Sequence, residues 1–202
     1  MRIAVIGAYG SGKSTLTDQL AAAAGLPVSR ATPMARPVGS SSVAASQCTP
    51  AELVQLTVRR LVERSVEEDR FAGGFVSDGS VLHDWIYAET LLAHGSFPTA
   101  DATHDDQPLS GTDDFTPLAV LHQLELLGRH ELAARYDLWL YLPIEFTLRD
   151  PEPPISESFR AITDTRVRGA ATDDGADLHV VRGTPTERLT RALELVDRAN
   201  VP

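Results

Sequence analysis

Arg2-Ile3-Ala4-Val5-Ile6-Gly7-Ala8-Tyr9-Gly10-Ser11-Gly12-Lys13-Ser14 is the stretch that decides how this chain folds. Its first five residues are apolar or β-branched and predict a buried strand. Gly7 to Ser14 then matches Gly-x-x-x-x-Gly-Lys-Ser/Thr, at the strand-to-helix turn where that pattern binds phosphate. Glycines let successive backbone N–H groups point inward at phosphate oxygens, and the helix N-terminus adds a favourable dipole. Gly7, Gly10, Ser11, Gly12, Lys13, Ser14 and Thr15 are therefore the expected cradle of a nucleoside triphosphate, ATP or another. Lys13 should reach the β- and γ-phosphates, and the Ser14 hydroxyl should ligate Mg²⁺.

The rest of the composition sharpens that motif. Of 18 basic residues 17 are arginine, so Lys13 is the single lysine of the chain. A compact ammonium on a flexible stem stands only where phosphates are to be reached. The net charge of −10 lacks the basic surface that nucleic acid requires. No apolar run reaches the about 18 residues of a membrane span, and no signal-type apolar segment precedes the glycine loop. One cysteine, Cys48, excludes an internal disulfide framework. A cytoplasmic protein is expected, working on small molecules, with a homodimer as one possible assembly.

Length and pattern predict a single domain over residues 1–202. Helix is expected from Lys13 to about Ala24, ending at Gly25-Leu26-Pro27, and a weak strand over Leu26–Arg30. Thr49-Pro50-Ala51-Glu52 is a capping box that opens a helix to about Arg70, with Leu53, Leu56, Leu61 and Val62 on its inner stripe. Phe75–Asp78 reads as a third strand, followed by a helix to about His94. Residues 95–115, polar and acidic, form an irregular insertion; its aspartates and His104 lack regular metal-ligand spacing. A helix from Thr116-Pro117 to about Ala134 precedes the fourth strand, Asp137–Leu142. After a proline-rich loop come a helix over about Ser156–Gly169 and a fifth strand, Asp177–Val181. A last helix opens at Thr184-Pro185. Strands alternating with helices imply an α/β, three-layer fold, with a parallel sheet covered on both faces.

A guanine-specific GTPase needs Asn-Lys-x-Asp, which cannot occur where Lys13 is the only lysine and Asn200 the only asparagine. The order of phosphate loop, Phe75-Val76-Ser77-Asp78-Gly79, Leu138–Pro143, Leu148-Arg149-Asp150, Phe159-Arg160 and Val180-Val181-Arg182-Gly183-Thr184 resembles the nicotinamide-riboside-kinase-like P-loop family. That family belongs to the wider nucleoside and nucleotide kinase-like folds. The resemblance implies a five-stranded sheet in order 2-3-1-4-5 and a lid over about 143–168. Two departures stand out. Such kinases often carry Asp-Arg at the end of strand three, where this chain has Asp78-Gly79. Many also place a glutamate after strand two as base for the acceptor hydroxyl, yet no acidic residue occurs from Gln19 to Ala51.

In the implied order Asp78 stands beside the first strand, where it serves Mg²⁺, acts as base toward the acceptor, or simply caps the next helix. Arg149 and Arg160 in the lid region are candidates for neutralising the transferred phosphoryl group, as lid arginines do in this family's relatives; Arg166 and Arg168 follow with weaker claims. Arg30 and Arg36 mark the acceptor side and could hold an anionic acceptor bidentately. His83, Trp85 and Tyr87 open the helix after Asp78 and could line the acceptor pocket, the aromatics by stacking. In related folds the turn at Arg182 packs against adenine. The expected activity is that of a P-loop small-molecule kinase: ATP- and Mg²⁺-dependent transfer to a nucleoside, nucleotide or similar anionic acceptor. The alternative is a nucleotide-binding regulatory protein with little or no turnover.

Overall fold

A computed structural model describes residues 1–31, 48–95, 116–148 and 155–200. Five strands form one sheet: β1 (Arg2–Ile6), β2 (Val28–Arg30), β3 (Phe75–Asp78), β4 (Leu138–Tyr141) and β5 (Leu178–Val180). Six helices connect or follow them: α1 (Lys13–Ala24), α2 (Pro50–Asp69), α3 (Val81–His94), α4 (Pro117–Arg135), α5 (Glu157–Asp173) and α6 (Pro185–Ala199). The strand order is β2-β3-β1-β4-β5. Every pairing is parallel, as the sequence pattern and the resemblance imply.

Alternation along β1 shows why the sheet is covered twice. Ile3 and Val5 point to a core completed by Leu16 and Leu20 of α1 and by Ala192, Leu195 and Val196 of α6. Ala4 and Ile6 point the other way, to Val81, Leu82, Trp85 and Ile86 of α3 and Val167, Ala170 and Ala171 of α5. A period of two with both faces apolar is what a central parallel strand requires. Because all strands run the same way, Ile6, Arg30, Asp78, Tyr141 and Val180 finish on one edge, with Arg30 opposite Asp78 in the register.

The helix starts follow their caps. Thr49 and Thr184 each close a capping box, with Glu52 and Glu187 respectively, and Thr116 and Ser156 accept from Ala119 N and Phe159 N. Element ends shift by a few residues. β2 begins at Val28, not Leu26, and α5 runs on to Asp173. Residues 157–168 of the expected lid are thus helix α5. The insertion at 95–115 lies, apart from Gly95, outside the described residues.

One core assignment is corrected. Leu53 and Leu56 are buried and Leu61 packs against the core, but Val62 is 56 % exposed. At 100° per residue Val62 sits four residues from Val58 on the outer face, while the buried stripe of α2 continues through Arg64 and Glu68.

Candidate active site

The loop between β1 and α1 has backbone conformations that only glycine tolerates. Gly7 lies at φ 146°, Gly10 at 68° and Gly12, the N-cap of α1, at 97°. A Cβ on Gly7 would stand 2.4 Å from the Leu142 carbonyl oxygen, and one on Gly12 would stand 2.8 Å from Arg188 Nη1. Ser14 and Thr15 sit exposed on the first turn of α1. Lys13 Nζ donates to Ala8 O at 2.7 Å, within the loop itself. Desolvation lowers the Lys13 pKa to about 8; the charges of Asp78 and Asp164 oppose that fall, and those of Arg160 and Arg64 add to it.

Asp78 ends β3 beside this loop. Its side chain is 10 % exposed, and its Oδ2 accepts from Arg30 Nε at 3.1 Å. Arg30 also donates through Nη2 to Asp18 Oδ1 at 2.7 Å, joining the tips of β2 and β3 to α1. Beneath them Arg64 is buried. It donates to Asp84 Oδ2 at 3.1 Å and Ser77 Oγ at 2.9 Å, and its Nη2 lies 3.6 Å from where a Cβ on Gly79 would be. A guanidinium from α2 therefore lies alongside the position where the resemblance leads one to expect an arginine after Asp78.

His83 ties the turn after β3 to the phosphate loop. Ser80 N–H donates to Nδ1 at 3.1 Å, which leaves the proton on Nε2, 3.0 Å from Gly7 O. Burial and the charge of Lys13 push its pKa down to about 3, so the ring is neutral. Tyr87 packs edge-on between His83 and Phe159, at 5.8 and 5.7 Å. Its hydroxyl is buried with no hydrogen-bond partner among the described residues, and desolvation raises its pKa. Trp85 is placed differently from the expectation. It is buried in the core under Gly128 and Arg129 of α4, so it offers no ring for stacking a ligand.

Two arginines hold the start of the lid loop to the phosphate loop. Fully buried Arg160 donates from Nε to Tyr9 O at 2.8 Å and from Nη1 to Phe146 O at 3.1 Å and Glu157 at 2.6 Å. Its Nη2 has no partner among the described residues and lies 4.0 Å from where a Cβ on Gly10 would stand. Arg188 of α6 donates to Ser11 O at 2.6 Å and to Glu145 at 2.7 Å. Arg182, 65 % exposed, lies 3.6 Å from Glu145.

Lys13, Asp78, His83, Tyr87 and Arg160 thus gather around the loop, while Arg30 is paired with two aspartates rather than free. Arg36 and Arg149 lie outside the described residues. Arg166 pairs with Glu89 and Arg168 stacks over Tyr141. Sequence patterns miss Arg188, Glu145 and Asp164; Asp164 Oδ2 accepts from Tyr141 at 2.6 Å, and its Oδ1 is buried with no partner among the described residues. Only the i, i+4 spacing of Arg160 and Asp164 hinted at a shared face. No group of three or more His, Cys, Asp or Glu suited to a metal occurs among the described residues. No helix among them is long and apolar enough to cross a membrane.

A strand–glycine loop–helix unit with a single lysine, in a 2-3-1-4-5 parallel sheet, defines a P-loop protein of nucleoside and nucleotide kinase-like fold. The chain belongs to the family described as AAA domain, whose model matches residues 2–188. Among solved structures it is similar to a deoxyadenosine kinase from M. mycoides with bound dATP, at TM-score 0.63 and 12 % identity. A second structure of that kinase, with bound dCTP, gives TM-score 0.57 and 10 % identity. Each comparison covers 98 % of this chain and 100 % of the other. Among curated proteins none matches the sequence.

Proposed function

We propose that the protein is an ATP- and Mg²⁺-dependent phosphotransferase acting on a small metabolite of the nucleoside or nucleotide class. The observation that carries this reading is the buried Arg160 guanidinium, anchored to Tyr9 O, with Nη2 unsatisfied among the described residues beside Gly10. A buried guanidinium N–H left over in this way, next to a phosphate loop, fits a phosphoryl oxygen. The loop N–H groups, Ser11 to Thr15 and Lys13 would hold the triphosphate, with Arg182 near the base. Ser14 and Asp78 would hold Mg²⁺, which supplies charge neutralisation between the β- and γ-phosphates. Lys13 and Arg160 neutralise the transferring group, and His83 keeps Gly7 in place. Arg30, Arg36 and Tyr87 stand for acceptor binding and Arg149 for the lid's cationic contact; similarity to a deoxyadenosine kinase supports the substrate class.

The competing reading, a regulatory nucleotide-binding protein with little turnover, draws on Asp78 being engaged by Arg30 and on Gly79 following it. Incubation with labelled ATP, Mg²⁺ and a panel of nucleosides and nucleotides should move label to at least one acceptor, and Lys13→Ala should abolish ATP binding. Tight, Lys13-dependent ATP binding with no transfer to any acceptor would establish the regulatory reading instead.

The reading includes a homodimer. Val58, Val62 and Val66 form an exposed ridge at i, i+4 spacing on α2, beside a groove shared with Leu124 and Leu127 of α4. Ridge and groove in one apolar patch, with Arg59 and Glu63 paired to each other beside it at 2.6 Å, suit a two-fold partner.

A further inference from the structure

We infer that the acceptor receives the phosphoryl group on an oxygen that is already ionised, the phosphate of a nucleoside monophosphate, and that Arg30 selects it; this rests on the kinase reading above. A hydroxyl acceptor must lose a proton, and the resemblance places the base for it at the end of β2. Among the described residues, both carboxylates there are engaged by Arg30. Asp78 Oδ2 accepts from Arg30 Nε at 3.1 Å. Glu67 Oε2 accepts from the Arg30 backbone N–H at 3.0 Å. The residue that ends β2 is itself a cation, opposite Asp78 in the register.

A phosphate acceptor needs no base. One of its oxygens forms the new bond to the γ-phosphorus, the bond from that phosphorus to the bridging oxygen breaks, and the electron pair departs with ADP. No proton changes hands. Arg30 is suited to hold such an acceptor because its two carboxylate partners differ. Asp78 is 10 % exposed and Asp18 is 58 % exposed. The Arg30–Asp18 pair faces solvent, where an ion pair is weak, so a bidentate phosphate can replace Asp18 while Nε stays on Asp78. Asp18 then acts as a competitor that the acceptor displaces.

The test uses labelled ATP with Mg²⁺ and matched pairs of acceptors, among them deoxyadenosine and dAMP. Monophosphates should be phosphorylated with kcat/KM at least about tenfold above their nucleosides. Arg30→Ala should raise the KM for the monophosphate by about tenfold or more, with the Kd for ATP unchanged. Asp18→Asn should lower the same KM by about two- to fivefold. Preferential transfer to nucleoside hydroxyls would overturn the inference, and loss of that transfer in Asp164→Asn would then identify the base. An unchanged monophosphate KM in Arg30→Ala would overturn it too. If thermal unfolding shows that Arg30→Ala does not fold, Arg30→Lys and Asp18→Asn decide, and an unchanged KM in both counts against it. Should no acceptor take label, the kinase reading fails on its own. Calorimetric titration then judges the inference: dAMP bound more tightly than deoxyadenosine, and tighter still in Asp18→Asn, supports it, while no dAMP binding overturns it.

Discussion

Lys13 reports the state of the phosphate loop through its proton. With its Nζ against Ala8 O and its pKa lowered to about 8, it is charged at pH 7 and largely neutral at pH 9 in the empty site. Only the charged form binds phosphate, so affinity is present below about pH 8 and declines above it. ATP titrations at pH 7 and pH 9 should show weaker binding at the higher pH, and Lys13→Arg, always charged, should flatten the profile. Equal ATP affinity at both pH values in the native chain would remove this account. His83 supplies the opposite edge. Its pKa falls from 6.5 to about 3 in the fold, so the unfolded chain binds more protons between those values. The stability it contributes is present above pH 6.5 and lost as pH falls toward 3. Acid unfolding of His83→Gln should be shallower across that window; an identical profile would show that burial of this ring does not govern acid lability.

At the scale of elements, the α2–α3 junction depends on charges where a helix stripe ordinarily carries leucine. Arg64 and Asp84 are both buried and joined at 3.1 Å, with Arg60 at 2.8 Å from the same carboxylate. Burial opposes the ionisation of Asp84, but the two guanidiniums outweigh it and hold its carboxyl below the ordinary range. Removing Asp84 takes the nearer of two carboxylates from buried Arg64 and leaves it Glu68 at 3.9 Å; breaking such a buried pair costs about 3–5 kcal/mol. Asp84→Ala should therefore lower Tm by roughly 10 °C, and Arg64→Met in the same chain should recover part of the loss. A change of only a degree or two in Asp84→Ala would show that water or neighbouring groups replace the carboxylate. The same feature explains what was legible in the sequence. Strands and caps were, because a run such as Ile3–Ile6 or a box such as Thr49–Glu52 carries its own local signal. Val62 was misplaced because the stripe of α2 is completed by Arg64 and Glu68, which hydropathy counts as surface. At the candidate site, the phosphate loop was legible because its glycines and lysine are contiguous. Arg188 and Asp164 were not, since each meets the loop or β4 only through tertiary packing of α5 and α6.

The whole molecule sets a condition that no single element does. The strand ends and the phosphate loop gather at one edge of the sheet, while α2 and α4 expose Val58, Val62, Val66 and Leu127. Contiguous exposed apolar area of this kind marks an interaction surface. A two-fold partner would bury the valine ridge of one copy in the groove of the other, so the patch needs no other protein. Sedimentation equilibrium at tens of micromolar, a concentration chosen to populate micromolar dimers, should give a dimer mass for the native chain. Val62→Glu and Leu127→Glu should each give a monomer, because each would bury a carboxylate without a partner in an apolar contact. ATP affinity should be retained in both variants, as neither residue belongs to the phosphate loop. A monomeric native chain, or a dimer that survives both substitutions, would place the apolar face outside any self-assembly and leave the homodimer without support.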